Sequence, residues 1–122
     1  LASTDTVAIL DLEYTSWEGA RARNWSGPGE YREIVEIGLL VCHGPVLAEV
    51  SALSVLVRPR LNPQLSRYFC DLTGITQEAI DAAGDFAAAE KTVLVLLNRE
   101  LPDAREARIW SFGEDGEIFA EN

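Results

Sequence analysis

The sequence predicts an α/β domain, a mixed β-sheet with helical cover. Three observations carry this. Apolar runs of strand length stand at residues 6–13, 32–44 and 48–59. Segments of helical period with capping residues follow from 65 to 101. A short apolar run then returns at 106–113, ahead of a last helical stretch. The resulting order is β-β-β-α-α-α-β-α, and strands that come first in sequence and are then joined by a helical crossover to another strand form a mixed sheet.

The first strand is Thr6–Glu13 (TVAILDLE), apolar on both faces and suited to the covered centre of a sheet. The second is Arg32–Gly44, ended by the Gly44-Pro45 turn, and the third is Ala48–Pro59. So short a link makes these two an antiparallel hairpin. Pro59 and Pro63 break the extended pattern. Leu65, Phe69 and Leu72 then fall at i, i+4 and i+7, the buried stripe of a short helix with Gly74 at its C-terminal end. Thr76 caps QEAIDAA, and Asp85 caps a longer helix, Phe86–Leu101, stopped by Pro102. Its Val-Leu-Val-Leu-Leu run suits a strand by propensity, but the length and the cap favour helix. Glu106–Gly113 is the fourth strand, and EDGEIFAEN begins a helix. The one long loop, Thr15–Glu30, is rich in Gly, Trp, Arg and Ser; a loop of that length beside a strand end is often functional.

With 122 residues, 48% of them hydrophobic, the chain suits one domain, 1–122, around one core. The apolar runs are too short to span a bilayer, so no membrane is expected. No secretory leader pattern opens the chain, and with no Met it reads as trimmed at the front. Cys42 and Cys70 lack C-x-x-C spacing and read as reduced thiols, the expectation being a cytoplasmic protein without zinc. The net charge of −10 is uneven: residues 71–122 hold four basic and twelve acidic side chains. Such a chain is a poor general binder of phosphate backbones unless metal ions neutralise its site.

Asp11 and Glu13 end the first strand, and alternation points both to one face. Two carboxylates there repel each other, and a divalent cation is the simplest remedy. Hard oxygen donors suit Mg²⁺ or Mn²⁺. Two such ions, about 3.5–4 Å apart, activate water and stabilise the leaving oxygen in phosphodiester cleavage. Asp115 follows the fourth strand and a glycine. If strands one and four are neighbours, it reaches the same end of the sheet; otherwise it is a helix cap, and the carboxylates simply face solvent.

Four ordered segments resemble one family. ILDLEYT resembles the first motif of the DEDD 3′→5′ exonucleases, which share a ribonuclease H-like fold, and EIVEIGLLV resembles their second strand. VRPRLNPQLSRYFCDLTGIT (57–76) is similar to a signature of the exoribonucleases related to the histone-mRNA and RNA-interference-regulating 3′ exonuclease, with Tyr68 as an added residue beside Phe69 and Cys70. WSFGEDGEIF resembles the second motif, with Asp115 one residue nearer its glycine than is usual there. The third motif of these enzymes, a histidine with an aspartate about five residues on, has no match, and His43 is a turn residue. The chain thus resembles the first two thirds of an exonuclease domain, truncated at its C-terminus and expected to be weak or inactive alone.

The resemblance implies a metal-dependent 3′→5′ exonuclease that releases nucleoside 5′-monophosphates from RNA or, as runner-up, single-stranded DNA. It implies two divalent cations held by Asp11, Glu13 and Asp115. Leu12, Tyr14 and Thr15 follow as substrate contacts, and Trp17 and Trp25 either stack on bases or pack the loop onto the core. Arg21, Arg23 and Arg32 either contact phosphates or form a solvated loop face, with Glu36 paired to one of them. A degenerate fold that only binds nucleic acid or protein is the alternative. An apolar edge left open by truncation would favour a homodimer.

Overall fold

The computed structural model describes residues 5–103 and 108–122. Four strands form one sheet in the order β3-β2-β1-β4. The strands are β1 (Thr6–Tyr14), β2 (Ile34–His43), β3 (Ala48–Leu56) and β4 (Arg108–Ser111). β1 pairs antiparallel with β2, and β2 with β3, while β4 runs parallel to β1. The expected hairpin and the expected β1–β4 neighbourhood are both present. The sequence reading made β4 longer; its first two residues, Glu106 and Ala107, lie outside the described residues.

The helices are α1 (Arg67–Thr73), α2 (Gln77–Asp81), α3 (Phe86–Glu100) and α4 (Asp115–Glu121). Their starts follow local chemistry. The side chains of Ser66, Thr76 and Asp85 accept the backbone N–H groups of Phe69, Ala79 and Ala88. Gly74 ends α1 at φ 77°, a conformation a glycine adopts without strain.

Alternation along β1 divides the core. Ala8, Leu10 and Leu12 face one side and pack with Ile37, Leu39 and Val41 of β2, Ala89, Val93 and Leu96 of α3, and Ile118 of α4. On the other side Phe69 of α1 and Ile80 of α2 pack with Val35 and Leu65. The register of β1 and β2 shifts between Glu13 and Tyr14, so Glu13 faces Glu36 while Tyr14 faces Ile34. The extra residue, Val35, lies on β2, opposite the end of β1 that carries the carboxylates.

Leu65 and Phe69 are buried as the period predicts, but Leu72 is 66% exposed. The buried stripe of α1 ends one turn early, and Leu72 faces a cleft. Cys42 and Cys70 are free thiols. No helix among the described residues is long and apolar enough to cross a membrane.

Candidate active site

The cleft opens at the end of β1 where β4 stops. In the parallel register Leu10 lies beside Ser111, the last residue of β4. Two residues further along β1, the Leu12 N–H has no β4 carbonyl to meet. Gly113, at φ 54°, turns the chain away from the sheet and into α4. Asp115, the first residue of α4, then supplies the acceptor: its Oδ2 takes the Leu12 N–H at 3.1 Å. A side chain thus replaces a ladder carbonyl and is held between the two ligand candidates of β1. The neighbouring acid, Glu114, turns the other way to Arg32. Asp115, not Glu114, is therefore the inward carboxylate.

Asp11, Glu13 and Asp115 line one cleft of about 740 Å³, which Leu12, Tyr14, Arg21, Trp25, Tyr68, Leu72 and Phe112 also line. The electrostatics record the crowding. Burial raises the Glu13 carboxyl above its usual range, and Asp11, Glu36 and Asp115 push it further. Burial likewise raises Asp115; the Leu12 N–H pulls it back, and Asp11 raises it again. The Tyr14 phenol is raised first by burial and then by Asp115.

Three carboxylates sharing a partly desolvated cleft form a hard-oxygen donor set with uncompensated charge, which fits a divalent cation. Their side chains are not drawn into a closed cage: among the described residues no three His, Cys, Asp or Glu stand close enough to hold a metal ion. Asp115 is turned to the Leu12 amide.

Other expected contacts divide. Leu12, Tyr14, Arg21 and Trp25 line the cleft, whereas Thr15, Trp17 and Arg23 do not. Thr15 is buried; its hydroxyl donates to the Tyr31 carbonyl and accepts the Glu33 N–H, so it staples the loop. Arg23 is held by the Glu30 carboxylate and the Glu18 carbonyl. The Trp25 indole N–H donates to the Thr15 carbonyl at 3.0 Å, and its ring leans on Tyr14 at 5.5 Å. Glu36 does not pair with an arginine among the described residues; it stands across the ladder from Glu13.

Three exposed large apolar or aromatic residues line the cleft without having been expected there. Tyr68 and Leu72 stand one turn apart on the outer face of α1, and Phe112, 73% exposed, follows β4. Their i, i+4 spacing was visible, but periodicity alone assigns an apolar residue to a core, not to an open wall.

Comparison with known proteins agrees with this geometry. A family model described as Exonuclease matches residues 8–109. The 3′-5′ exoribonuclease 1 of Homo sapiens is 34% identical over 91 residues, 74% of this chain and 24% of that protein. ERI1 exoribonuclease 2 of Danio rerio is 39% identical over 75 residues, covering 62% of this chain and 12% of that protein. The chain thus spans about a quarter or less of the curated relatives it matches. Among solved structures, the nuclease domain of 3′hExo, a DEDDh family member bound to rAMP, superposes with a TM-score of 0.81 at 29% identity over 99% of this chain and 59% of that one. A 3′-exonuclease bound to a histone mRNA stem-loop gives 0.80 at 28% identity, covering 98% of this chain and 42% of that one. The family match ends before Asp115, so that residue's place rests on its bond to Leu12. With a ribonuclease H-like sheet carrying Asp11 and Glu13 inside the matched span, the chain belongs to the exonuclease family of the DEDDh type.

Proposed function

We propose that this chain forms the core of a metal-dependent 3′→5′ exonuclease acting on RNA and releasing nucleoside 5′-monophosphates. The observation that carries the reading is the Asp115–Leu12 bond, which puts a third carboxylate into the cleft of Asp11 and Glu13. Asp11, Glu13 and Asp115 would hold the Mg²⁺ or Mn²⁺, which when bound supplies charge neutralisation and a more acidic water. Glu13 would also orient the attacking water. Trp25, Tyr68, Leu72 and Phe112 offer faces for the terminal bases, and the exposed Arg21 offers charge for a phosphate.

The preference for RNA rests on the 57–76 signature and on the exoribonuclease relatives; single-stranded DNA is the other candidate. The described cleft holds no histidine. His43 bonds Thr6 at the far end of β1, about five strand residues from Asp11, and is not the base. A second reading is a binding domain without catalysis, in keeping with the shortened spacing of Asp115 from Gly113. The open edge of β4, where Ile109 and Trp110 are exposed, supports self-association; a monodisperse monomer in light scattering would contradict it.

The test uses the longest natural polypeptide containing these residues, a 5′-labelled single-stranded RNA and Mn²⁺. Stepwise shortening from the 3′ end, slowed by orders of magnitude in Asp11→Asn, is expected. Near-normal rates in that variant would refute the assignment. RNA binding without shortening in the unaltered protein would establish the second reading instead.

A further inference from the structure

We infer that Arg32 is a positioning residue, a latch that holds α4 against the end of the sheet and thereby sets Asp115 in the cleft. The inference rests on the metal-site reading above. It begins with the weakness of α4. This helix has seven residues, no side-chain bond at its N-cap and no basic residue in its last turn. Helices this short do not persist on their own. Four acids, Glu114, Asp115, Glu117 and Glu121, crowd it, and Glu121 lies at the negative end of the helix dipole. Its buried anchor is Ile118.

Arg32 answers both problems. One guanidinium nitrogen donates to Glu114 at 2.7 Å, beside the start of α4, and another donates to Glu121 at 2.9 Å, at its end. A planar fork spans two carboxylates in this way, and an ammonium does not. The fork is only 20% exposed and lies 5.9 Å from the centre of the Trp25 ring, so its position is fixed from the loop side too. The main chain of Arg32 completes the clasp: its carbonyl accepts from Asn122, whose side-chain oxygen takes the Ile34 N–H. Arg32 was expected to meet phosphate; its donors are instead spent on α4. Glu114 and Asp115 are sequence neighbours pulled to opposite sides, one by Arg32 and the other by Leu12.

A latch and a simple charge predict opposite signs. Removing a nearby positive charge strengthens cation binding by Coulomb attraction alone. Removing a latch lets α4 drift and weakens it. The experiment is calorimetric titration with Mn²⁺ of the whole chain, of Arg32→Gln and Arg32→Lys, and of Asp11→Asn as the control. Arg32→Gln is expected to bind about tenfold more weakly, in the range found for supporting residues of metal sites. Arg32→Lys keeps the charge but loses one arm, and is expected to fall between the two. If Arg32→Gln does not fold, Arg32→Lys carries the test alone. Affinity equal to or tighter than that of the unaltered chain in either folded variant overturns the latch. Absence of Mn²⁺ binding in the unaltered chain, or its persistence in Asp11→Asn, overturns the metal-site reading itself and the latch with it.

Discussion

The two sides of the cleft are built to different standards. Asp11 and Glu13 stand on β1, which is paired to β2 along its length and to β4 over its first half. Asp115 stands on a seven-residue helix after a four-residue edge strand whose side chains are all exposed. The first side is fixed by the sheet and the core. The second is fixed by fewer and more scattered contacts: Ile118 in the core, Phe119 against Phe86, Gly113 at the turn, the Leu12 amide, Arg32 and the Asn122 bonds. Placement of the third carboxylate is therefore the vulnerable step, and most substitutions that damage the site without touching it fall on the second side.

The largest break in this contrast comes from Ile118→Ala. Ile118 is fully buried, and its loss costs about 2–5 kcal/mol. Amide exchange should accelerate in α4 far more than in β1 and β2; equal acceleration in both would show one cooperative unit. Gly113→Ala comes next. No side chain crowds that position, but its φ of 54° strains any residue with a Cβ, at about 1 kcal/mol. A lower melting temperature is expected, and an unchanged one would mean that the turn tolerates a side chain.

Acidity sharpens the contrast. Glu13 and Asp115 are both raised in the folded chain from usual values of 4.5 and 3.8. The folded state thus holds these protons more tightly than the unfolded one. Their contribution is fully present below those values and is lost as pH rises through the raised ones. Without metal, Asp115→Asn and Glu13→Gln should each flatten the fall in stability above pH about 4. Melting curves from pH 4 to 7 check this, and slopes unchanged in both variants would contradict it. Arg21→Ala, the smallest effect, should weaken RNA binding slightly and reduce its salt dependence, with the fold intact. An unchanged salt slope would remove Arg21 from the phosphate contacts.

The parts of the fold governed by neighbours in sequence were legible. Thr76, Asp85 and Gly74 end or begin helices by bonds within four residues, and Asp85 explains why a Val- and Leu-rich run is helical. Asp11 and Glu13 were legible by strand alternation. Asp115 needed the further premise that β4 lies beside β1, which no local pattern states. The partners of Arg32 and Glu36 were not legible, since they depend on a bulge in β1–β2 pairing and on the docking of α4. Leu72 shares the spacing of Leu65 and Phe69, but it lines the cleft instead of the core, which periodicity alone does not distinguish.

The claim that β1 and α4 build one cation site is tested most directly by a double-substitution cycle read by Mn²⁺ calorimetry. Asp11→Asn and Asp115→Asn should each remove most of the affinity, and the double variant should lose little more, because the two act on one site. Losses that simply add, or an Asp115→Asn variant that binds like the unaltered chain, would separate the two sides and contradict the account.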